Sequence, residues 1–175
     1  KDDITNEGVL ASLTSSLITH RNIEDEIDRC ILSESEISDN ASVELKNIRR
    51  NIVKQNEALR SKLNSIISSS SNKAMLQDAI ITLRQGRYVI PVKQEYRSRF
   101  HGIVHDQSST GATLFIEPVS IVNMNNELRE LQIKEEAEIE KILAELSALI
   151  AEKASELLSN LEILIKLDYI FAKGK

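Results

Sequence analysis

Tryptophan is absent from this chain, and phenylalanine and tyrosine occur three times each. So few large rings exclude a thick aromatic core and favour aliphatic side chains packed helix on helix. Glycine (5) and proline (2) are nearly as scarce in 175 residues, which leaves few points where a helix must stop. The one cysteine, Cys30, excludes an internal disulfide framework and fits a reducing, cytoplasmic compartment. No apolar run is long enough to span a bilayer and no signal-peptide pattern opens the chain, so no membrane partner is expected. A net charge of −5 gives no general attraction to nucleic acid. The chain opens on Lys1 rather than Met and reads as a piece of something larger.

What the sequence does carry is aliphatic periodicity, and it divides the chain into three parts. Residues 1–83 read as a helical core. Val9, Leu10, Leu13, Leu17 and Ile18 recur at helical spacing, followed by Ile23, Ile27 and Ile31. A cap at Ser38-Asp39-Asn40 is expected to start a helix in which Leu45, Ile48, Ile52, Gln55, Leu59, Leu63 and Ile66 step by three or four. That stripe is near-heptad, with Gln55 as its polar interruption. The serine tract at residues 68–71 reads as a turn between antiparallel helices, and Met75–Leu83 as a further short helix.

Residues 84–118 change character. Tyr88–Val92, Gly102–His105 and Ala112–Ile116 are rich in strand formers and predict a small antiparallel sheet inserted between helices. Pro91 argues for an edge or bulged position. Residues 119–175 predict one long helix, with neither Gly nor Pro between Val119 and Ala172. Met124, Leu128 and Leu131, then Ile139, Ile142, Leu146 and Leu149, then Leu157, Leu161, Leu164 and Asp168 mark its packed side. The repeat slips near Glu135 and again near Lys153, as where a helix changes partner. Roughly 50 helical residues reach about 75 Å, so such a helix must pack on the earlier helices or on another chain. The acidic run Glu135–Lys141 is expected to be a solvated face. The expected fold is mainly α: long antiparallel lever helices with a small inserted antiparallel β-sheet.

His105-Asp-Gln-Ser-Ser-Thr-Gly-Ala-Thr-Leu-Phe-Ile-Glu-Pro118 concentrates chemically active residue types in one loop. His105, Asp106 and Ser108 are the residue types of a hydrolytic triad, but neighbours in a hairpin loop point apart, and no Gly-x-Ser-x-Gly elbow is present. Nor is this a phosphate loop: Gly111 leads into a strand, without the Lys-Ser/Thr that would open a helix. His20 and His101 have no partners at metal-ligand spacing. No catalytic, cofactor or metal residue is therefore expected in this chain. The loop is assigned to holding the hairpin and its junction with the long helix, with Pro118 just ahead of the helix start; contact of its polar residues with a partner is the alternative.

Charge patterning is more informative. Residues 84–105 hold Arg84, Arg87, Lys93, Arg97 and Arg99 against one acid, Glu95, with Tyr88, Tyr96 and Phe100 interleaved. Bases among rings suit a nucleic-acid backbone and a stacked base. Arg87, Lys93, Tyr96, Arg97, Arg99 and His101 are the candidate nucleic-acid-binding residues. The alternative is a hairpin whose arginines pair with acids on the neighbouring helix, in a coiled-coil dimerisation module that makes no nucleic-acid contact.

Three stretches also resemble a known family. Arg87-Tyr-Val-Ile-Pro-Val-Lys-Gln-Glu-Tyr-Arg97, then Gly102-Ile-Val-His through Glu-Pro118, then Asn125-Asn126-Glu-Leu look like the second bacterial MutS family, the paralogues without a mismatch-recognition domain. Leu167-Asp-Tyr-Ile-Phe-Ala-Lys173 is similar to the segment that precedes the ATPase domain there. The resemblance covers essentially the whole chain, and this chain is similar to the core, lever and clamp part only. It implies a longer, homodimeric protein with an ATPase that uses ATP and Mg, and usually an Smr-type endonuclease domain. It also implies partners: branched DNA, with suppression of homologous recombination, or the ribosome and its RNA, with rescue of collided ribosomes. Neither the Walker motif nor the Smr domain occurs in these residues, so no ATPase or nuclease activity is expected of this chain itself.

Overall fold

The structure is a computed structural model and describes residues 6–173. It is mainly helical with a small antiparallel sheet. The helices are α1 (Asn6–Ser15), α2 (Arg21–Cys30), α3 (Val43–Ser68), α4 (Ser70–Lys73), α5 (Val122–Ala151) and α6 (Ala154–Lys173). The strands are β1 (Ile31–Ser33), β2 (Glu36–Ile37), β3 (Thr82–Arg84), β4 (Arg87–Lys93), β5 (Gly102–Gln107) and β6 (Thr113–Pro118). The chain forms two compact units. One is Ser42–Glu138; the other joins the residues up to Ala41 to those from Ile139 onward.

In the Ser42–Glu138 unit, α3 starts one turn later than the expected cap, because residues 38–41 fold on themselves: the Ala41 N–H donates to the Ser38 carbonyl at 3.0 Å. Ser42 is the actual N-cap, its hydroxyl accepting the Leu45 N–H at 2.9 Å. The expected stripe of α3 is the packed one, with Leu45, Ile48, Leu59 and Leu63 buried. Its polar interruption has a partner: Gln55 Nε2 donates to Glu127 at 2.7 Å and to the Met124 carbonyl at 3.2 Å. Ser42 to Glu138, Arg49 to Glu135 and Gln55 to Glu127 run in opposite senses along the two helices, so α3 lies antiparallel to the first part of α5. The acidic run is thus only partly a solvated face: Glu136 and Glu140 are exposed, but Glu135 holds Arg49 at 2.7 Å and Glu138 holds Ser42 at 2.7 Å.

The serine tract does not join antiparallel helices. It ends α3, and Ser69 leads into the single turn α4. Asn72 reaches back to the Ile66 carbonyl at 2.9 Å, satisfying a group that the helix end leaves open. Met75–Leu83, expected as a helix, is not one: Met75 lies in a turn, Leu76 makes an isolated bridge to Val92, residues 77–79 bend, and Thr82–Arg84 is a strand. Gln85 (φ 51°) and Gly86 (φ 74°) form the two-residue turn to β4, and paired positive φ values are what the twist of a tight hairpin demands.

The sheet order is β3-β4-β6-β5, all antiparallel. Pro91 therefore sits in an inner strand, against the expectation of an edge. Its neighbour on one side is Phe115, while its carbonyl accepts from Gln77 N–H at 3.0 Å on the other, beyond the end of β3, where no strand asks for the missing N–H. Ile90, Val92, Leu114 and Ile116 face Leu59, Leu63, Ile67 and Met75 in one core. Gly102 lets β5 approach β6 closely: a Cβ there would collide with the Glu117 carbonyl oxygen and the Ile116 side chain.

In the other unit, α2 ends at Cys30. Ile31, expected to continue the helical stripe, instead opens a small β1–β2 hairpin. The expected single long helix is two, α5 and α6, broken at Glu152 and Lys153 where the apolar repeat slips a second time. The buried face of α6 is Ile163 and Leu167, not the expected Leu157, Leu161 and Leu164, which are 37%, 53% and 51% exposed. This helix is apolar almost all round, so its spacing alone does not select the packed side. No helix among the described residues is long and apolar enough to cross a membrane.

Candidate nucleic-acid interface

The basic segment 84–105 divides by function. Arg84 and Arg87 belong to the sheet. Arg84 pairs with Asp106 at 3.1 Å and lies over the Phe115 ring, 4.0 Å from its centroid. Arg87 meets the fully buried Glu117 side-on, through Nε at 2.9 Å and Nη2 at 2.7 Å. The same Nη2 reaches Asn126 Oδ1 at 2.8 Å. Glu117 also receives Asn125 Nδ2 at 2.7 Å and faces His105 Nε2 at 2.6 Å. A carboxylate with this set of partners has its lone pairs occupied, the condition for burying a charge at tolerable cost. Burial pushes the Glu117 carboxyl up, but the hydrogen bonds of Arg87, Asn125 and His105, with the charge of Arg87, outweigh it and hold it below the ordinary carboxylate value.

Two local features build this network. The β5–β6 register shifts between Val104 and Asp106, so His105 is the extra residue of a bulge, which aims it at Glu117. Beyond the last β4–β6 pair, Asn125 takes the place of a strand residue: its amide accepts from Tyr88 N–H at 3.2 Å and donates to Tyr88 C=O at 3.2 Å. Arg87, His105, Glu117, Asn125 and Asn126, drawn from all three stretches that resembled a family, thus meet at the junction of sheet and α5. Glu117 and Asn125 were not among the candidate residues. Glu-Pro and Asn-Asn were visible in the sequence, but nothing in their spacing links them to Arg87.

The remainder of the 105–118 loop closes on itself. Ser108 accepts the Thr113 N–H at 3.1 Å, and Asp106 accepts the Gln107 N–H at 2.8 Å. His105, Asp106 and Ser108 are therefore engaged by Glu117, Arg84 and Thr113 respectively, not aligned with one another.

The other candidate residues lie between β4 and β5. Lys93 ends β4, half-buried, and donates to the Ala74 carbonyl at 3.3 Å. Tyr96 packs against the core from the 3-10 turn Gln94–Tyr96, with Arg99 5.7 Å from its ring centroid. Arg97, Arg99 and His101 are exposed. Among the described residues, no carboxylate pairs with Lys93, Arg97, Arg99 or His101. The structure thus groups Lys93, Tyr96, Arg97, Arg99 and His101 on one connection and separates Arg87 from them, its guanidinium occupied by the Glu117 network.

No protein-family model matches the chain. Curated relatives do. The chain is 59% identical over 170 residues, 97% of its length, to a protein named endonuclease MutS2 from Clostridioides difficile (strain 630). It is 56% identical over 167 residues, 95% of its length, to the protein of that name from Alkaliphilus oremlandii (strain OhILAs). It is 50% identical over all 175 residues to the one from Clostridium perfringens (strain SM101 / Type A). The matches cover 22%, 21% and 22% of these relatives, so the chain spans about a fifth of their length.

Proposed function

Given that the chain belongs to the family of the endonuclease MutS2 proteins as a segment of about a fifth of their length, we propose that its Ser42–Glu138 unit grips nucleic acid through the β4–β5 connection. One observation carries this reading. In a chain of net charge −5, Lys93, Arg97 and Arg99 follow one another along one connection without acidic partners, beside Tyr96 and His101, while Arg84 is paired with Asp106 at the surface and Arg87 with the buried Glu117. Unpaired cations on a firm scaffold attract phosphates, and a neighbouring ring offers a stacking surface. The native partner is branched DNA or ribosomal RNA, met as part of a longer cytoplasmic homodimer.

In the same reading α5 is the lever. Within the Ser42–Glu138 unit its backbone is internally hydrogen-bonded, which suits a helix to carry a displacement. The basic connection is then the clamp, opened or closed by events elsewhere in the longer protein. ATP and Mg belong to that remainder. This sequence has no phosphate loop to hold them.

The test is fluorescence anisotropy of the chain with labelled branched DNA and structured RNA across a salt series. Binding should weaken with salt, with a slope of log affinity against log salt near −0.9 per phosphate neutralised on duplex DNA. It should vanish when Lys93, Arg97 and Arg99 are all changed to Glu. Absence of binding at low salt would overturn the reading.

A second reading has its own support. On α6, Leu158 is 62% exposed, Ile165 61% and Phe171 63%, a broad apolar face beside the buried Ile163 and Leu167. That face suits a dimerisation module in which a second copy covers it and the basic connection contacts nothing. Sedimentation separates the two: Leu158→Glu with Ile165→Glu should yield monomers if the face joins two copies, whereas the cation changes should leave the oligomeric state unchanged.

A further inference from the structure

Beside Arg99, one of the unpaired cations, lies a cleft of about 330 Å³ within the Ser42–Glu138 unit. Its apolar wall includes Ile66, Met75, Phe100 and Val119, and Asn72, Ser120, Arg99 and His101 also line it. Met75 and Phe100 are buried members of the core, so that wall is fixed, whereas Val119 is 63% exposed. The two segments meeting there are pinned together by the Val119 N–H donating to the His101 carbonyl at 3.3 Å. The volume falls at the low end of small-ligand sites, which run from roughly 300 to 1,000 Å³. An apolar slot with the unpaired Arg99 and the imidazole of His101 at its side matches a flat ring joined to an anion.

We propose that this cleft takes the base of one unstacked nucleotide in a nucleic-acid strand, with Arg99 and His101 on the adjoining phosphate. The proposal rests on the nucleic-acid reading above and sharpens it: the clamp would favour sites where a base is already free of the duplex. A paired base is held in its stack and cannot enter without first being extruded, at a cost that a gap, bulge or branch point removes. Branch points, gaps and loops share this free base; a continuous duplex does not.

The experiment compares the intact 175-residue chain on four probes: a continuous duplex, the same duplex with a one-nucleotide bulge, the bulged duplex with an abasic residue at the bulge, and free adenosine monophosphate. The bulged duplex should bind about tenfold or more tighter than the abasic one, the scale of one stacked base. With 2-aminopurine at the bulge, its fluorescence should change on binding. Val119→Trp, which fills the cleft from its exposed rim and leaves every cation in place, should bring the bulged duplex down to the abasic level while duplex binding persists. Equal affinity for bulged and abasic probes would overturn the base site without requiring any protein variant. Salt-sensitive duplex binding that survives in that case would leave the clamp itself standing. Adenosine monophosphate binding as tightly as the bulged duplex would overturn the strand assignment in favour of a free nucleotide. Loss of all binding would remove both the site and the clamp.

Discussion

Two asparagines perform the same act in the two units, and their surroundings make them unequal. Asn125 holds both backbone groups of Tyr88 at 3.2 Å. Asn160, on α6, holds both backbone groups of Ile18, accepting its N–H at 3.0 Å and donating to its carbonyl at 2.7 Å. Bond length alone would rank Asn160 first. Burial reverses the order. Asn125 is 3% exposed and tied to a buried carboxylate, whereas the bonds of Asn160 lie open to water. A polar group stripped of its partner in water finds another; one stripped in a core does not. The same contrast runs through the apolar residues: the Ser42–Glu138 unit closes its core between α3 and the sheet, while α6 leaves a broad apolar face uncovered.

The severest way to break the comparison is Glu117→Ala. It leaves the Arg87 guanidinium half-enclosed without its anion, and should cost about 3 kcal/mol or more in urea unfolding of the Ser42–Glu138 unit. Asn125→Ala should follow, at about 2 kcal/mol, because Tyr88 loses partners for both its N–H and its C=O. Asn125→Asp should be no milder, since it sets a second carboxylate against Glu117. Asn160→Ala should cost about 1 kcal/mol or less, its backbone partners being open to water. An equal cost for the two alanine variants would show that burial does not rank them. The smallest effect is expected for Arg84→Ala, an exposed pair and a ring contact together contributing about 1 kcal/mol or less.

Acid sharpens the contrast further. The folded-state pKa of Glu117 lies below the ordinary value. The unfolded chain therefore takes up the proton first as pH falls. The stabilisation is complete above the unfolded glutamate pKa of about 4.3 and is lost as pH drops through the lower, folded value. Circular-dichroism unfolding at stepped pH should show this loss, and Glu117→Gln should remove that part of the pH dependence.

How much of this was legible in the sequence depends on how local the cause was. The inner strands were readable because Val89–Val92 and Leu114–Ile116 are runs of strand formers. The outer strand β3 of the four-stranded sheet was missed because Met75, Leu76, Ile80 and Leu83 also fit a helical spacing. The Gln85-Gly86 turn was the signal that could have decided it. On α6, a broad apolar arc hides the packed face. The Glu117 network was out of reach for a different reason. It depends on one shifted register and on a helix side chain completing a strand, both tertiary facts that leave no periodic trace. The basic connection was legible as a charge cluster, but its division into paired and unpaired arginines was not.

The bulge at His105 has a second consequence, for association. β5 is the last strand of its sheet, and Ile103 and Val104 on it are 47% and 37% exposed. A flat, apolar outer strand offers its open hydrogen-bonding row to any other extended chain, which is how sheets grow into aggregates. One extra residue bends that row halfway along, so a foreign strand could pair with only part of it. The irregularity that turns His105 inward toward Glu117 thereby also keeps the outer rim of the sheet from serving as a template.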